Sequence, residues 1–181
     1  MSQEREDMRK RVLAGVFLLS FFALTGWLIF VAFKAENFPL GSPLPALHYR
    51  TEAGRETLQS HDILKLMLVH FHSECEHCQY ELELFDQNLP ALSGTRIVLL
   101  TFEVDFFEKD KKQTWPSLAA AANVTWGVVD KGEFVDRFGI GVTPAIFIFD
   151  KTDTLRSKIV GEAKLEKILS ELKKIPGGPE R

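Results

Sequence analysis

The sequence predicts an α/β fold: a mixed sheet flanked by helices, with an N-terminal β-hairpin and a preceding single transmembrane helix. Three observations carry this. Three short runs, Lys65–His72, Arg96–Phe102 and Ala145–Phe149, have the length and apolar content of strands buried on both faces. Stretches of helical period lie between and after them, the alternation that builds a layered sheet. Upstream, residues 12–33 carry no charge at all.

That uncharged run, Val12 to Phe33, reads as a membrane anchor. At about 1.5 Å per residue it reaches roughly 33 Å, enough to cross the hydrocarbon core. Arg9, Lys10 and Arg11 precede it and only Lys34 follows closely, so residues 1–11 are expected on the cytoplasmic side and everything after Lys34 outside. A cleaved signal peptide fits less well, because the run exceeds an ordinary h-region and no small-x-small site follows. Residues 34–45, with Pro39, Gly41, Pro43 and Pro45, read as a stiff tether. Residues 46–175 then form one domain of about 130 residues, a normal size for a single core. Residues 176–181 are an expected frayed tail.

Within the domain, Leu47–Tyr49 and Glu56–Leu58 flank the turn Ala53-Gly54-Arg55 and predict a hairpin. Lys65–His72 is the first core strand, and Glu81–Leu89 predicts an amphipathic helix stopped by Pro90. Arg96–Phe102 is the second core strand. Ser117–Ala122 suits a helix with Pro116 near its first turn. Trp126–Val129 is a short strand and Glu133–Phe138 a helix. Ala145–Phe149 and Leu155–Val160 form a hairpin around Asp150–Thr154. Lys164–Lys174 closes the chain as a helix with Leu165, Ile168, Leu169 and Leu172 on one face.

The two cysteines of the chain, Cys75 and Cys78, stand in Cys75-Glu76-His77-Cys78, between the first core strand and the helix after it. Two thiols at this spacing can close into a small disulfide ring and reopen. A helix N-terminus favours the thiolate of the first, because its unpaired N–H groups present partial positive charge. This is the chemistry of a thiol–disulfide exchanger. Half a zinc site or a static disulfide has the same spacing. A static disulfide closing so short a loop would stabilise little. Glu74 and Glu76 push the Cys75 pKa up, whereas a protonated His77 pushes it down.

With Gly141-Val142-Thr143-Pro144 leading into Ala145-Ile-Phe-Ile-Phe-Asp150, the pattern resembles the thioredoxin superfamily. More closely it is similar to the membrane-anchored TlpA/ResA-like oxidoreductases, which include thiol reductants of cytochrome c maturation. The resemblance covers nearly the whole exported domain and implies a thioredoxin-like fold. It makes Cys75 the attacking thiol and Cys78 the resolving one. It makes Pro144 a cis-proline facing the cysteines, with the Thr143 backbone offered to an extended substrate, although a trans proline opening a strand would read the same. It also implies that Glu81, three residues after Cys78 and on the same helix face, accepts a proton. Read from the residues alone, Glu81 fits a solvated surface carboxylate as well as a proton acceptor, whereas Glu83 fits the solvated reading better. The chain departs from the family in having Glu74 where tryptophan is usual and His77 where proline is common, so Glu76 and His77 are expected to modulate the pair.

The resemblance implies a reductant of protein disulfides resupplied by a membrane redox partner, with no cofactor. The second reading is a copper-binding metallochaperone on the same fold, because His70, His72, Cys75, His77 and Cys78 are dense in soft ligands. No second C-x-x-C or H-x₃₋₅-H completes a structural metal site, so no metal ligands are assigned. A net charge of −3 with scattered Lys and Arg excludes a nucleic-acid partner. Trp115 and Trp126 read as core. Phe106-Phe107, followed by Glu-Lys-Asp-Lys-Lys, reads as a partner-contact loop or as phenylalanines tucked inward.

Overall fold

The computed structural model describes residue 13 and residues 15–27, 38–58 and 64–175. The chain divides into two compact units, 1–37 and 38–181. In the first, residues 15–27 are helical (α1) and carry exposed Val16, Phe17, Leu19, Phe22 and Trp27. Among the described residues no helix is long and apolar enough to cross a membrane. Most of the remainder of the expected 12–33 span, the expected cytoplasmic residues 1–11 and the tail 176–181 lie outside the described residues.

The second unit is built on a seven-stranded mixed sheet, in the order β2-β1-β5-β4-β3-β6-β7. Its strands are β1 (His48–Arg50), β2 (Arg55–Thr57), β3 (Lys65–His70), β4 (Thr95–Thr101), β5 (Val124–Val129), β6 (Ala145–Phe149) and β7 (Leu155–Val160). The central β3, β4 and β5 run parallel, while β6 pairs antiparallel with β3 and with β7. Four helices follow α1: α2 (Glu76–Gln87), α3 (Pro116–Ala120), α4 (Lys131–Phe138) and α5 (Leu165–Lys174).

Strand alternation divides the core in two. Met67, Val69 and Phe71 pack with Leu82 and Phe85 of α2, Leu118 of α3, and Ile168 and Leu172 of α5. Leu66 and Leu68 face the opposite cluster, with Phe134 and Phe138 of α4. Both faces of β3 are therefore buried, which is why its sequence reads as a continuous apolar run.

Two expectations are corrected here. The helix after the cysteines begins at Glu76, not Glu81, and ends at Gln87, while Pro90 lies in a separate 3₁₀ turn, Leu89–Leu92. Its first turn carries polar side chains, so the apolar period appears only one turn later. The expected tether 34–45 is docked from Phe38 onward. Phe38 is buried against Phe138 at a ring separation of 5.1 Å. The N–H groups of Gly41 and Leu44 donate to Leu155 O and Asp153 O, at 2.8 and 2.7 Å. Residues 38–45 thus belong to the domain.

Candidate functional site

Sheet register assembles the site. His70, the last residue of β3, sits opposite Ala145, the first of β6. The chain leaving β3 and the chain entering β6 therefore meet at one end of the sheet. The first carries the two thiols into α2, and the second carries Thr143 and Pro144, joined by a cis peptide bond.

Cys75 is the N-cap residue of α2 and is half-buried, whereas Cys78 is 1% exposed within the first turn. Both are free thiols. Their surroundings drive them apart. Partial burial works against the Cys75 thiolate, but the Cys78 thiol, the amides of Cys78 and His77, and the Thr143 side chain outweigh it and hold the Cys75 pKa below its ordinary value. Cys78 is pushed up to about 12, chiefly by burial and then by the neighbouring Cys75, against the His72 backbone and Thr143. The sequence weighed the charges of Glu74, Glu76 and His77. The groups that decide are instead the helix start, the second thiol and Thr143.

Glu81 is fully buried one turn beyond Cys78. Its Oε1 accepts from the Ala163 N–H at 3.3 Å, and its Oε2 has no protein partner. Burial, reinforced by the Glu162 charge and opposed by the Ala163 N–H, raises its pKa to about 8. Glu83, by contrast, is exposed and accepts from Gln87.

Glu76 is exposed at the helix start. His77 reaches Glu162 through Nδ1 at 2.6 Å. The short loop after β7 therefore touches three parts of the site with consecutive residues. Gly161 N–H donates to Pro144 O at 2.9 Å, Glu162 meets His77, and Ala163 N–H meets Glu81.

His70 is buried on the far face, its ring tilted against those of Phe102 and Phe134, and its Nδ1 lies 3.2 Å from Val142 O. Burial lowers its pKa to about 4 despite that hydrogen bond. His72 is half-exposed and turns toward Glu103 instead. The dense histidine and cysteine pattern thus separates in space, and among the described residues no group of three or more metal-ligating side chains comes together. Phe106 is fully buried against Trp126, with ring centroids 5.6 Å apart, so the 106–107 pair turns inward at its first member.

This arrangement can be set against known proteins. The sequence pattern of the thioredoxin-like domain family matches residues 55–176, more than half of the chain. The chain belongs to the thioredoxin-like family. Its thioredoxin-like domain is similar in fold to several solved structures. A putative thiol:disulfide interchange protein DsbE from Chlorobium tepidum aligns with a TM-score of 0.62 at 18% identity, over 75% of this chain and 99% of that one. StoA from Bacillus subtilis aligns at 0.54 and 17%, over 72% and 98%. A peroxiredoxin-like protein from Aquifex aeolicus aligns at 0.62 and 14%, over 76% and 87%. No curated protein matches the sequence.

Sequence reasoning missed Glu103 of the thioredoxin-like domain. This carboxylate, two residues past β4, is 6% exposed on its side chain. It accepts from Ser73 N and Ser73 Oγ, both at 2.7 Å, and from Thr101 Oγ1 at 3.0 Å, and it pairs with Lys111. Burial opposes its ionisation, yet Lys111, Ser73 and Thr101 together hold its pKa at about 2. A carboxylate just beyond the carboxyl end of a buried strand was the available signal, since ligands and reactive groups gather at that edge. Glu162 had no comparable signal, because its role depends on where β7 ends.

Proposed function

We propose that this protein is a membrane-anchored, exported thiol–disulfide oxidoreductase of the TlpA/ResA-like kind, acting as a reductant of protein disulfides. The observation that carries the reading is the opposed pair of thiols: an accessible, acidified Cys75 at a helix start and a buried Cys78 whose proton is tightly held. The Cys75 thiolate attacks one sulfur of the substrate disulfide, forming a mixed disulfide and releasing the first substrate thiolate. Cys78 gives up its proton and attacks Cys75 Sγ. The second substrate thiolate leaves, and the Cys75–Cys78 disulfide holds the oxidation. Two electrons have passed to the substrate, and a membrane thiol donor restores the dithiol.

Cys78 needs a base to react near neutrality. Glu81, with a pKa near the working pH and one helical turn away, is the group that supports this role. The Thr143 backbone beside the thiols is the edge on which an extended substrate docks, as an added strand would. The uncharged run 12–33 and the basic residues before it support anchoring, with the domain exported. Among the described residues no group of three or more metal-ligating side chains supports the copper-carrier reading.

The test is reduction of a protein disulfide by the full chain. Cys75→Ser should abolish turnover, and Cys78→Ser should accumulate mixed disulfides visible on a non-reducing gel. Wild-type rates in both variants would sink the reading. Labelling of Cys75 in intact cells by a membrane-impermeant maleimide tests export, and retention in carbonate-washed membranes tests the anchor.

A further inference from the structure

The four residues between β3 and the nucleophile, Phe71-His72-Ser73-Glu74, have no helix or strand to hold them. Their polar groups are nonetheless pinned. Ser73 donates through N–H and Oγ to the two oxygens of Glu103, each at 2.7 Å, and accepts from Gln79 Nε2 through its carbonyl at 2.7 Å. Glu74 N–H donates to His72 Nδ1 at 3.2 Å, and Cys75 N–H to His72 O at 3.2 Å. Glu103 is itself fixed by Thr101 and Lys111, and Lys111 also lies 3.5 Å from Glu74 and 4.0 Å from Asp105. A nearly buried carboxylate is costly unless paired and hydrogen-bonded, and here each of its two oxygens accepts a hydrogen bond from Ser73, in the segment that delivers Cys75.

We propose that Glu103 is a positioning residue for thiol exchange: through Ser73 it holds the Cys75 sulfur at the start of α2 and against Thr143. This deepens the oxidoreductase reading and rests on it.

The alternative action of Glu103, simple charge, has the opposite sign. A nearby carboxylate disfavours a thiolate, so removing it by charge alone would make Cys75 more acidic. Lys111 offsets that field, being paired with Glu103 directly, and the other titratable groups around the segment are Glu74, Asp105 and the half-exposed His72. Loss of the grip instead lets Cys75 drift from the helix N–H groups and from Thr143, making it less acidic.

The experiment measures the pH midpoint of Cys75 alkylation in the reduced full chain, with the labelled site located by peptide mass mapping. In Glu103→Ala the midpoint should rise by ~1 pH unit, the scale on which loss of hydrogen-bonding and dipole partners acts on a thiol. Glu103→Gln, which keeps an acceptor for the Ser73 N–H, should recover part of that shift. Ser73→Ala, a smaller change that keeps the backbone bond, should move the midpoint the same way by less, and it serves if Glu103→Ala fails to fold. A midpoint that falls, or stays put in folded Glu103→Ala and Ser73→Ala, overturns the proposal. Disulfide reduction by the wild type is scored separately. If the wild type reduces no disulfide while the midpoint still shifts, the oxidoreductase reading fails and the positioning role stands.

Discussion

Two thiols three residues apart in sequence end in different chemical states because only one is shielded. Cys78 is buried in the first turn of α2, and Cys75 caps that helix only half-buried. Iodoacetamide at neutral pH should therefore label Cys75 and leave Cys78 unmodified in the folded, reduced protein, as peptide mapping will determine. Denaturant should erase the difference. Glu81 makes the second prediction at this scale. Its pKa is raised from 4.5 to about 8 on folding, so between those values the unfolded chain releases a proton that the folded one keeps. Glu81's contribution to folding stability should accordingly fall as pH rises through that window, and level off above it, while His70, lowered to about 4, acts in the opposite direction below 6.5. Glu81→Gln keeps an acceptor for Ala163 and removes the slope, which should make it more stable than wild type at pH 8 by a few kcal/mol, on the order set by the shift. Urea titrations at pH 5 and pH 8 measure this, and equal slopes for the two proteins would contradict it. The Cys75–Cys78 spacing was legible in the sequence because it is local, whereas Pro144 was reached only through the family resemblance of the segment leading into β6. The burial of Glu81 was not, since it depends on Ala163, 82 residues away.

Strands proved easier to read than helix starts. The sequence places β6 and β7 at their observed limits, and β3, β4 and β5 within two residues: β3, β4 and β6 because a strand covered on both faces is apolar, and β7 because it alternates after the Asp150–Thr154 turn. Helices α2 and α4 both begin earlier than their apolar period. In α4 the reason is Asp130, which caps the helix by accepting from Glu133 N–H at 2.9 Å and so recruits a polar first turn. The hairpin joins the sheet through β5, and Gly127 makes that junction close. A Cβ at Gly127 would lie 2.5 Å from Tyr49 Cδ2 and 2.8 Å from Leu100 Cδ2. Gly127→Ala should cost about 1–3 kcal/mol through overpacking, measurable as a lowered urea midpoint. If it is neutral, the β1–β5 contact is looser than described.

At the scale of the whole domain, the apparent linker is the instructive case. Pro39, Gly41, Pro43 and Pro45 read as a spacer, yet Pro43 bridges to Thr154 and Leu155 N–H donates to Ser42 O at 2.9 Å. Proline and glycine composition reports local stiffness and turns. It is silent on whether a distant hairpin offers partners, and that hairpin lies more than 100 residues downstream. A domain beginning at Phe38 should therefore unfold at a higher urea midpoint than one beginning at Ala46. The difference expected is about 3 kcal/mol or more from loss of the buried Phe38 ring alone.

The docking of residues 38–44 on the turn between β6 and β7 also fixes where the polypeptide arrives. That turn is at the opposite end of β6 from Pro144. The last turn of α5 is held at the same lower rim, where Lys65 at the start of β3 donates to Leu172 O. Residues 41–44 and the last turn of α5 thus lie at the end of the sheet opposite Pro144 and the thiols. A bead or a dye attached within residues 41–44 or in the last turn of α5 should leave the reactive sulfur facing outward, unobstructed by its own attachment.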